Sequence, residues 1–516
     1  MPPPELSPPR LETGETSDSK DSGQYEKGLS EESNIVDWDG PDDPMNPLNW
    51  SAAKKHTHVA IVSLFTLSAL VFSSSPIAHN NADMHIITCV IRNLAATMFA
   101  PGVQELVSEF SITNSTVAAM TVSLYVLGFA LGPIILAPLS ELYGRLIIYL
   151  VCNVVYLAFT LGCAFATNTA MFLVFRFICG CAAAGPMSIG GGTIADVTPQ
   201  DKRGKAMALF AMGPILGPVV GPIIGGFVSE DIGWRWTFRI LSILSGVIAI
   251  GTAIFMRETN AAVLLKWKAT RLRKTTGNEK LTRKLSKEET PREMLLRAIV
   301  RPLKLLAFSP IVLFISLYTG ILFGLIFLLF ATFPTVFQGV YHFSPSTSGL
   351  AYLGLGIGMM VGLAVFSILS DRLLRPKEGA EARPEDRLIL MKWIGPISPL
   401  GLFMYGWCAK YETHWILPIL GTFIIGFGSL FVVIPGQVYL VDAFGAEAAA
   451  SALAANLLVR SPFGAFLDLS ADPLYERLGL GWGNSVLGFI CLAFTPVPWL
   501  FYRYGENLRT RFAGEL

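Results

Sequence analysis

A single arginine lies inside a long apolar segment of this chain. Arg176 is five residues beyond Met171, within the uncharged surroundings of the run 170–194. A charge inside a bilayer is energetically costly and therefore needs a partner or a role. A fixed positive charge at this depth favours the ionised form of a nearby carboxylate, which makes that group's protonation controllable. The alternative is an arginine whose long stem carries the guanidinium to the membrane interface.

Charged pairs with helical spacing occur at the ends of two other apolar runs. Glu141 is followed four residues later by Arg145, and Asp371 is followed by Arg375 at the same spacing. The pair Glu141 and Arg145 is either an ordinary exposed ion pair, which contributes little stability, or a contact made in one conformation and broken in another. We favour the second interpretation for Glu141 and Arg145.

Two aspartates end apolar runs at corresponding places in the two parts of the chain. Asp196 is followed ten residues later by an Ala-Met-Ala sequence, and Asp442 by Ala-Leu-Ala at the same distance. An acid at the carboxyl end of a helix is disfavoured by the helix dipole and needs a cation nearby. Arg145 and Arg203 are therefore expected neighbours of Asp196. A structural latch and a proton-linked switch remain equal alternatives for Asp442.

The uncharged segment 217–226 repeats glycine and proline at a spacing of four. It contains Gly217, Pro218, Gly221, Pro222, Gly225 and Gly226. These residues are poor formers of a soluble helix. In a bilayer they are tolerated, and glycine allows neighbouring backbones to touch. The spacing predicts a smooth, slightly kinked helix face for close packing or for pivoting.

The composition predicts a membrane protein. Of 516 residues, 52% are hydrophobic and 15% are charged, against about 25% charged in soluble domains. With a run starting near His56, about twelve segments are long enough to cross a bilayer. The others lie at 116–138, 147–166, 170–194, 206–228, 237–256, 310–333, 348–370, 391–409, 415–440, 448–467 and 484–502. The expected fold is all-α, with two parallel six-helix bundles at 51–256 and 309–502.

Basic residues predict the orientation of these segments, because Lys and Arg favour the cytosolic side. They cluster in the loop 257–308 and in the tail 503–516, whereas the loops 101–115 and 338–347 contain none. Both termini are therefore expected in the cytosol, with residues 1–50 as a disordered tail. The sequon at Asn114 then lies outside and is an expected glycosylation site.

The first predicted span is interrupted. Its apolar run reaches only about Phe72 before a polar stretch begins, and residues 56–72 alone are at the lower limit of length for a span. Removal of residues 73–93 would join the flanks into one apolar helix. We interpret this segment as a retained intron, with a re-entrant loop as the alternative. A transcript that reads continuously through codons 73–93 would contradict the intron.

The sequence shows no motif of nucleotide hydrolysis, of nucleophilic catalysis or of metal binding. The chain has no phosphate-loop pattern, no nucleophile elbow and no clustered histidines. The balance of 39 basic and 38 acidic residues gives no indication of nucleic-acid binding. We therefore expect no enzyme, no cofactor and no metal site.

Polar and aromatic residues inside the spans are candidates for a substrate cavity. Residues of this kind are more often packing groups or interface anchors. The candidates are Tyr318, Tyr352, Gln437 and Asn456. Asp468 and Asp472 lie near the outer end of the eleventh span, where a solvated position is the favoured interpretation.

Several motifs together resemble the twelve-span fungal drug:proton antiporters of the major facilitator superfamily. The resemblance covers nearly everything after Val36. Besides the glycine run, it includes Asp37-Trp38, 46–50, 98–102, 138–145, 176–180, 233–238, 257–259 and 473–482.

The resemblance implies roles for the residues above. Glu141, Gly144 and Arg145 match the loop motif that latches the two halves, with Asp196 as a partner. Arg176 matches the arginine linked to proton coupling, and the run 217–226 matches the antiporter motif. The family's first glycine in the loop motif is Ala137 here, and a basic residue is replaced by Leu146, which indicates a weaker latch.

The expected function is proton-coupled export of small amphiphilic compounds such as drugs, toxins or secondary metabolites. The expected partners are the cargo, protons and membrane lipid, with the chain acting as a monomer. The plasma membrane is the expected location and the vacuolar membrane is the alternative. Two other functions stay open: uptake of polyamines or another nutrient, and a non-transporting membrane protein with a disrupted first span.

Overall fold

The structure is a computed structural model that describes residues 35–38, 43, 46–49, 95–198, 217–279, 281–283, 291–373 and 383–512. The start of the first predicted span, the segment 73–93 and Arg203 lie outside these residues. Asp371 lies within a described helix, but its side chain is outside the description.

Helices dominate the described residues. The longest carry the apolar runs, and shorter ones connect them. In chain order they are α1 (Val103–Glu109), α2 (Ser115–Tyr143), α3 (Arg145–Ala164), α4 (Thr169–Val197), α5 (217–232), α6 (Arg235–Phe255), α7 (Ala261–Thr276), α8 (Pro291–Phe308), α9 (Pro310–Pro334), α10 (Pro345–Leu373), α11 (Leu388–Ile394), α12 (Ile397–Lys410), α13 (Ile416–Leu469), α14 (Ala471–Phe494) and α15 (Pro496–Phe512).

Ten helical segments in the described part of the chain are long and apolar enough to cross a membrane. They coincide with ten of the predicted spans, and this confirms the all-α membrane fold. Helix α13 is one continuous run of helical residues that holds two such segments, Ile416–Phe444 and Ser451–Leu469. The predicted fifth span is described only from residue 217 onward.

The buried side chains form separate cores in the two parts of the chain. Two clusters draw only on residues between 95 and 256, and a larger one draws only on residues between 305 and 501. These are the cores of two helical halves, which we call the first and second half. Apolar side chains such as Val154, Ile243 and Ile250 are exposed on the outside of the first half, where lipid replaces water as the solvent.

The basic loop between the halves contains α7 and α8. A small separate unit comprises the described residues of Met1–Asp43 and Ala262–Glu288. In it, β1 (Ile35–Val36) pairs in parallel with β2 (Thr282–Arg283). The Nζ of Lys268 donates to the Asp43 carboxylate at 3.3 Å and to the backbone oxygen of Asp37 at 3.0 Å. Part of the predicted N-terminal tail thus packs on the central loop.

Candidate transport site and gating contacts

Arg176 is buried inside the first half, with 1% of its surface exposed. Its Nε donates to the backbone oxygen of Thr121 at 3.0 Å, and one terminal nitrogen donates to that of Ala95 at 3.1 Å. The guanidinium carbon lies 4.6 Å from the centre of the Tyr125 ring. The alternative of an arginine reaching the interface is therefore wrong. Carbonyl oxygens and an aromatic face compensate the charge, and the described ion pairs do not include it.

Arg145 and Asp196 lie together at the end of the first half that carries Arg145, which we call the Arg145 end. The Nε of Arg145 is 3.4 Å from an Asp196 carboxylate oxygen, and its other arm donates to Ser140 at 2.7 Å. Thr259 also donates its hydroxyl to Asp196, at 3.4 Å. Glu141, the expected partner of Arg145, is instead exposed. The acid at the carboxyl end of α4 therefore has its compensating cation, but the i, i+4 pair is not the contact.

Glu258 completes this cluster and was not among the site residues predicted from the sequence. Its buried carboxylate accepts backbone hydrogen bonds from Arg145, Leu146, Thr259 and Asn260 at 2.9 to 3.1 Å. The first two of these N–H groups belong to the amino end of α3, where a carboxylate also meets the positive end of the helix dipole.

Gly144 precedes α3 with φ 105° and lies directly against the Glu258 carboxylate, so a side chain there would collide with it. The one signal in the sequence was the proximity of Glu258 to a helix end in the matched motif 257–259.

The second half repeats the pairing of an aspartate at the end of one span with an arginine at the start of another. Asp442 accepts from the Nε of Arg387 at 2.8 Å, with about a third of each side chain exposed. Both Arg145 and Arg387 lie at the start of the third span of their half, and both aspartates lie at the end of the fourth. The repeat seen in the sequence therefore extends to the contacts, with Arg387 as the counterpart of Arg145.

The glycine and proline face of α5 packs on both halves. Gly225 lies against the backbone oxygen of Met98, so closely that a Cβ atom would overlap it. Gly226 lies against α10, where an added Cβ would be 2.5 Å from the backbone oxygen of Pro345. Gly349 of α10 approaches α5 in return, with Pro222 O at 2.6 Å from its added Cβ. These contacts put backbone on backbone, which only small residues permit.

The other glycines and prolines of the run 217–226 are buried as well. Pro218 accepts a hydrogen bond from the Thr97 hydroxyl at 3.3 Å. Glu230, two turns beyond Pro222, accepts from the backbone N–H of Ser346 at 2.8 Å and so caps α10.

A second contact between the halves joins α2 to α13. Ser123 of α2 hydrogen-bonds the carboxylate of Asp468, which is 2% exposed. One turn earlier on α13, Gly464 lies beside Val126 of α2. The favoured expectation of a solvated Asp468 is therefore wrong. All these contacts lie towards the end of the bundle that carries Asn114, which we call the Asn114 end.

A small charged cluster around Trp234 connects α1 to the start of α6 at the Asn114 end. Glu109 pairs with Arg235 and accepts from the Trp234 indole N–H at 2.8 Å. The hydrogen bond from Arg235 lowers the pKa of Glu109. Partial burial raises the pKa of Glu105, whose carboxylate accepts from the Trp234 backbone N–H at 3.1 Å. Asn114 itself is exposed, and its side chain caps α2 through the N–H of Thr116 at 2.9 Å.

Three of the four cavity candidates are packed inside the second half. Tyr318, Tyr352 and Asn456 are at most 1% exposed. Tyr352 donates to the backbone oxygen of Phe330 at 2.6 Å, and Asn456 donates to Thr319 at 2.7 Å. Gln437 is half-buried. The first three therefore serve the packing of the second half in this structure, and the expectation that they line an accessible cavity is not met.

Comparison with known proteins identifies the family. A sequence model described as Major Facilitator Superfamily matches residues 86–467. The chain belongs to the major facilitator superfamily. Among solved members, the xylose transporter XylE from E. coli in a partially occluded inward-open conformation superimposes with a TM-score of 0.63, at 14% identity, over 87% of this chain and 98% of that one. That likeness establishes the fold.

Curated superfamily members are much closer in sequence. The chain is 73% identical over 483 residues to MFS transporter fsa7 of Fusarium sp. (strain FN080326), covering 94% of this chain and 90% of the relative. It is 67% identical over 486 residues to the trichosetin biosynthesis cluster MFS transporter of Gibberella fujikuroi, with 94% and 90% covered. MFS-type transporter MFS19 of Alternaria alternata is 70% identical over 489 residues, with 95% of each chain covered. This chain is therefore a membrane transporter of the superfamily and not an enzyme.

Proposed function

We propose that this transporter exports small amphiphilic organic compounds in exchange for protons, by alternating access between its two halves. The observation that carries the proposal is the packing of α5. The backbone of its glycine face packs directly against the backbone at Met98 of its own half and against the backbone of α10 in the other half. Such a contact can separate and re-form as a unit, because few side chains must repack where glycine backbones meet.

The cargo is proposed to be a secondary metabolite of the producing cell. Support comes from the relatives, one of which is named for the biosynthesis cluster of trichosetin. An amphiphilic cargo also fits the spans, because most of the side chains that they offer are apolar or aromatic.

Arg176 and Asp196 are proposed to couple transport to protons. Arg176 is held rigidly by two carbonyl oxygens, so its charge stays in place while a carboxylate elsewhere gains or loses a proton. Asp196 lies in the cluster with Arg145 and Glu258, where neutralisation of the carboxylate weakens the pairing with Arg145. Protonation would therefore bias the contacts at the Arg145 end.

The orientation follows from the charge distribution. The Arg145 end is proposed to face the cytosol together with both termini and the basic loop, and the Asn114 end to face outside. Asn114 would then be glycosylated, which requires its capping side chain to leave Thr116. The plasma membrane is the proposed location, and the chain is proposed to act as a monomer.

The direct test is transport by purified protein in liposomes with an imposed pH gradient. The cargo for the assay comes from the native host, as the compound that accumulates inside cells when the gene is deleted. We expect this compound to move across the membrane in the direction opposite to the protons. Movement in the same direction as the protons would instead establish uptake by symport, and a deletion strain with no altered compound would argue against export of a self-made metabolite.

Two variants test the assigned arginine. Arg176→Ala is expected to abolish proton-driven transport, and Arg176→Lys is expected to retain part of it because the charge remains. Thermal unfolding of each variant in detergent checks that the first half is still folded. A folded Arg176→Ala protein with undiminished transport would remove Arg176 from the mechanism.

A further inference from the structure

A second intramembrane arginine, which the sequence analysis did not single out, lies in the second half. Arg460 is nine residues from either end of the membrane segment Ser451–Leu469. At 1.5 Å per residue, its Cα is about 14 Å from each end. A charge at the middle of a bilayer is costly unless another group compensates it.

Protein groups compensate Arg460 only in part. Its side chain is half-buried, and its guanidinium carbon lies 4.7 Å from the centre of the Phe323 ring. Its buried Nε has no hydrogen-bond partner among the described residues, and the described ion pairs do not include it. This differs from Arg176, where two backbone oxygens take the corresponding hydrogen bonds.

Polar groups on the same helix are committed elsewhere. Asn456, one turn before Arg460, donates to Thr319. Asp468 is eight residues further along, which is a rise of about 12 Å, and it is hydrogen-bonded to Ser123 of the first half. The guanidinium therefore keeps donors for a group that the described chain does not supply.

Arg460 lies one helical turn from a contact between the two halves. Gly464 is one turn further along the helix. A Cβ atom added to it would lie 3.0 Å from the Phe323 ring and 3.3 Å from Val126 of the first half. The ring centres of Phe323 and Phe327 lie 4.8 Å apart, the rings are tilted by 48°, and both side chains are half-buried. A cation beside two half-buried aromatic rings suits a molecule with an anionic head and an apolar or aromatic body.

We infer that Arg460, with Phe323 and Phe327, forms a binding site for the anionic group of an amphiphilic organic acid. The group is a carboxylate or another planar oxyanion, because the guanidinium fork matches two oxygens in one plane. Lipid headgroups are excluded by depth, since they lie at the ends of the span. This inference rests on the proposed function and specifies its cargo as an acid.

The test is equilibrium binding to purified full-length protein in detergent at pH 7, without a proton gradient. The probes are 1-naphthylacetate and the neutral 1-naphthylacetamide, which share a ring system and differ in charge. Wild-type protein is expected to bind the acid about 10-fold more tightly than the amide, as for one charge-assisted contact. Arg460→Gln is expected to remove this preference, and Arg460→Lys to retain part of it, because the charge remains without the planar fork.

Arg239 provides a matched control. It is also half-buried, its Nε also has no hydrogen-bond partner among the described residues, and it lies 4.9 Å from the Trp236 ring. It is, however, only four residues from the start of α6, beside an exposed tryptophan. Arg239→Gln is expected to bind both probes as the wild type does.

Equal wild-type affinity for acid and amide, or no detectable binding of the acid, would overturn the inference. An unchanged preference in a folded Arg460→Gln protein would do so as well, with thermal unfolding as the check on folding. Because binding is measured without a gradient, the acid preference can hold while proton exchange fails in liposomes. The two proposals therefore fail by different measurements.

Discussion

Ser123 and Asp468 join the two halves of the transporter through one buried hydrogen bond. The Ser123 hydroxyl also lies 2.9 Å from the backbone oxygen of Ala119. A hydroxyl has one proton and cannot donate to both oxygens at once. An ionised Asp468 therefore accepts the hydrogen bond of the Ser123 hydroxyl. A protonated Asp468 can instead donate to the Ser123 oxygen, while the Ser123 hydroxyl donates to the backbone oxygen of Ala119.

Removal of this contact is expected to destabilise the packed Asn114 end. Ser123→Ala leaves the buried carboxylate with one donor fewer, so unfolding should cost about 1–3 kcal/mol less. Thermal or denaturant unfolding of the purified protein measures the change. Asp468→Asn and the double variant complete a cycle, and additive effects of the two changes would show that the contact contributes nothing. Ser108→Ala is the control, because that exposed hydroxyl donates only to Glu105 O.

Added methyl groups in α5 should separate packed backbones. Gly226→Ala places a Cβ 2.5 Å from Pro345 O and forces α5 away from α10. We expect a loss of about 1–3 kcal/mol in stability, as for an overpacked core, and a loss of transport.

Gly246→Ala is the matched control in a membrane helix of the same half. Its added Cβ meets only Leu157, at 4.0 Å. If both variants transport equally well, the close approach of α5 to α10 has no part in the mechanism.

Glu258 is expected to hold the Arg145 end together. Glu258→Gln replaces one carboxylate oxygen by an NH2 group that faces backbone N–H donors. Three of the four N–H groups donate to the same carboxylate oxygen, which the amide can retain. The N–H of Leu146 is then left facing the NH2 group, so the loss should be about 1–3 kcal/mol. Glu141→Gln changes an exposed side chain and should leave stability within about 0.5 kcal/mol of wild type. Denaturant midpoints of the two variants give the comparison, and equal midpoints would contradict the role of Glu258.

The pairing of Glu109 with Arg235 predicts a dependence of stability on pH. The pKa of Glu109 is lowered in the folded protein. The pairing therefore stabilises the fold above the unfolded-state pKa of about 4.3 and is lost as the pH falls through the folded-state pKa.

Both side chains are partly exposed, so the effect is expected to be at most about 1 kcal/mol. Glu109→Gln should lower the melting temperature at pH 7 and have a smaller effect at pH 3. Glu105 acts in the opposite sense, since burial raises its pKa and its contribution is lost as the pH rises. An equal effect of Glu109→Gln at both pH values would show that the charge of Glu109 is irrelevant.

Much of the fold could be predicted from apolar runs alone. A bilayer requires each span to satisfy its own backbone hydrogen bonds, so length and hydrophobicity identify the helices. The same reasoning paired Asp196 with Arg145, because an acid at the carboxyl end of a helix needs a cation nearby. It also singled out the run 217–226, whose residue types make sense only where backbones touch.

The tertiary structure alone decided which polar side chains meet. Asp468 and Ser123 are 345 residues apart, and only the packing of α13 on α2 turns an apparently solvated acid into a buried one. Glu258 binds the start of α3 through backbone groups, which have no signature in the side-chain sequence. Tyr318, Tyr352 and Arg460 are all polar residues in spans, and only their neighbours separate packing groups from a candidate anion site. Sequence periodicity defines a helix and its apolar character, whereas the angle and offset at which helices pack depend on the whole assembly.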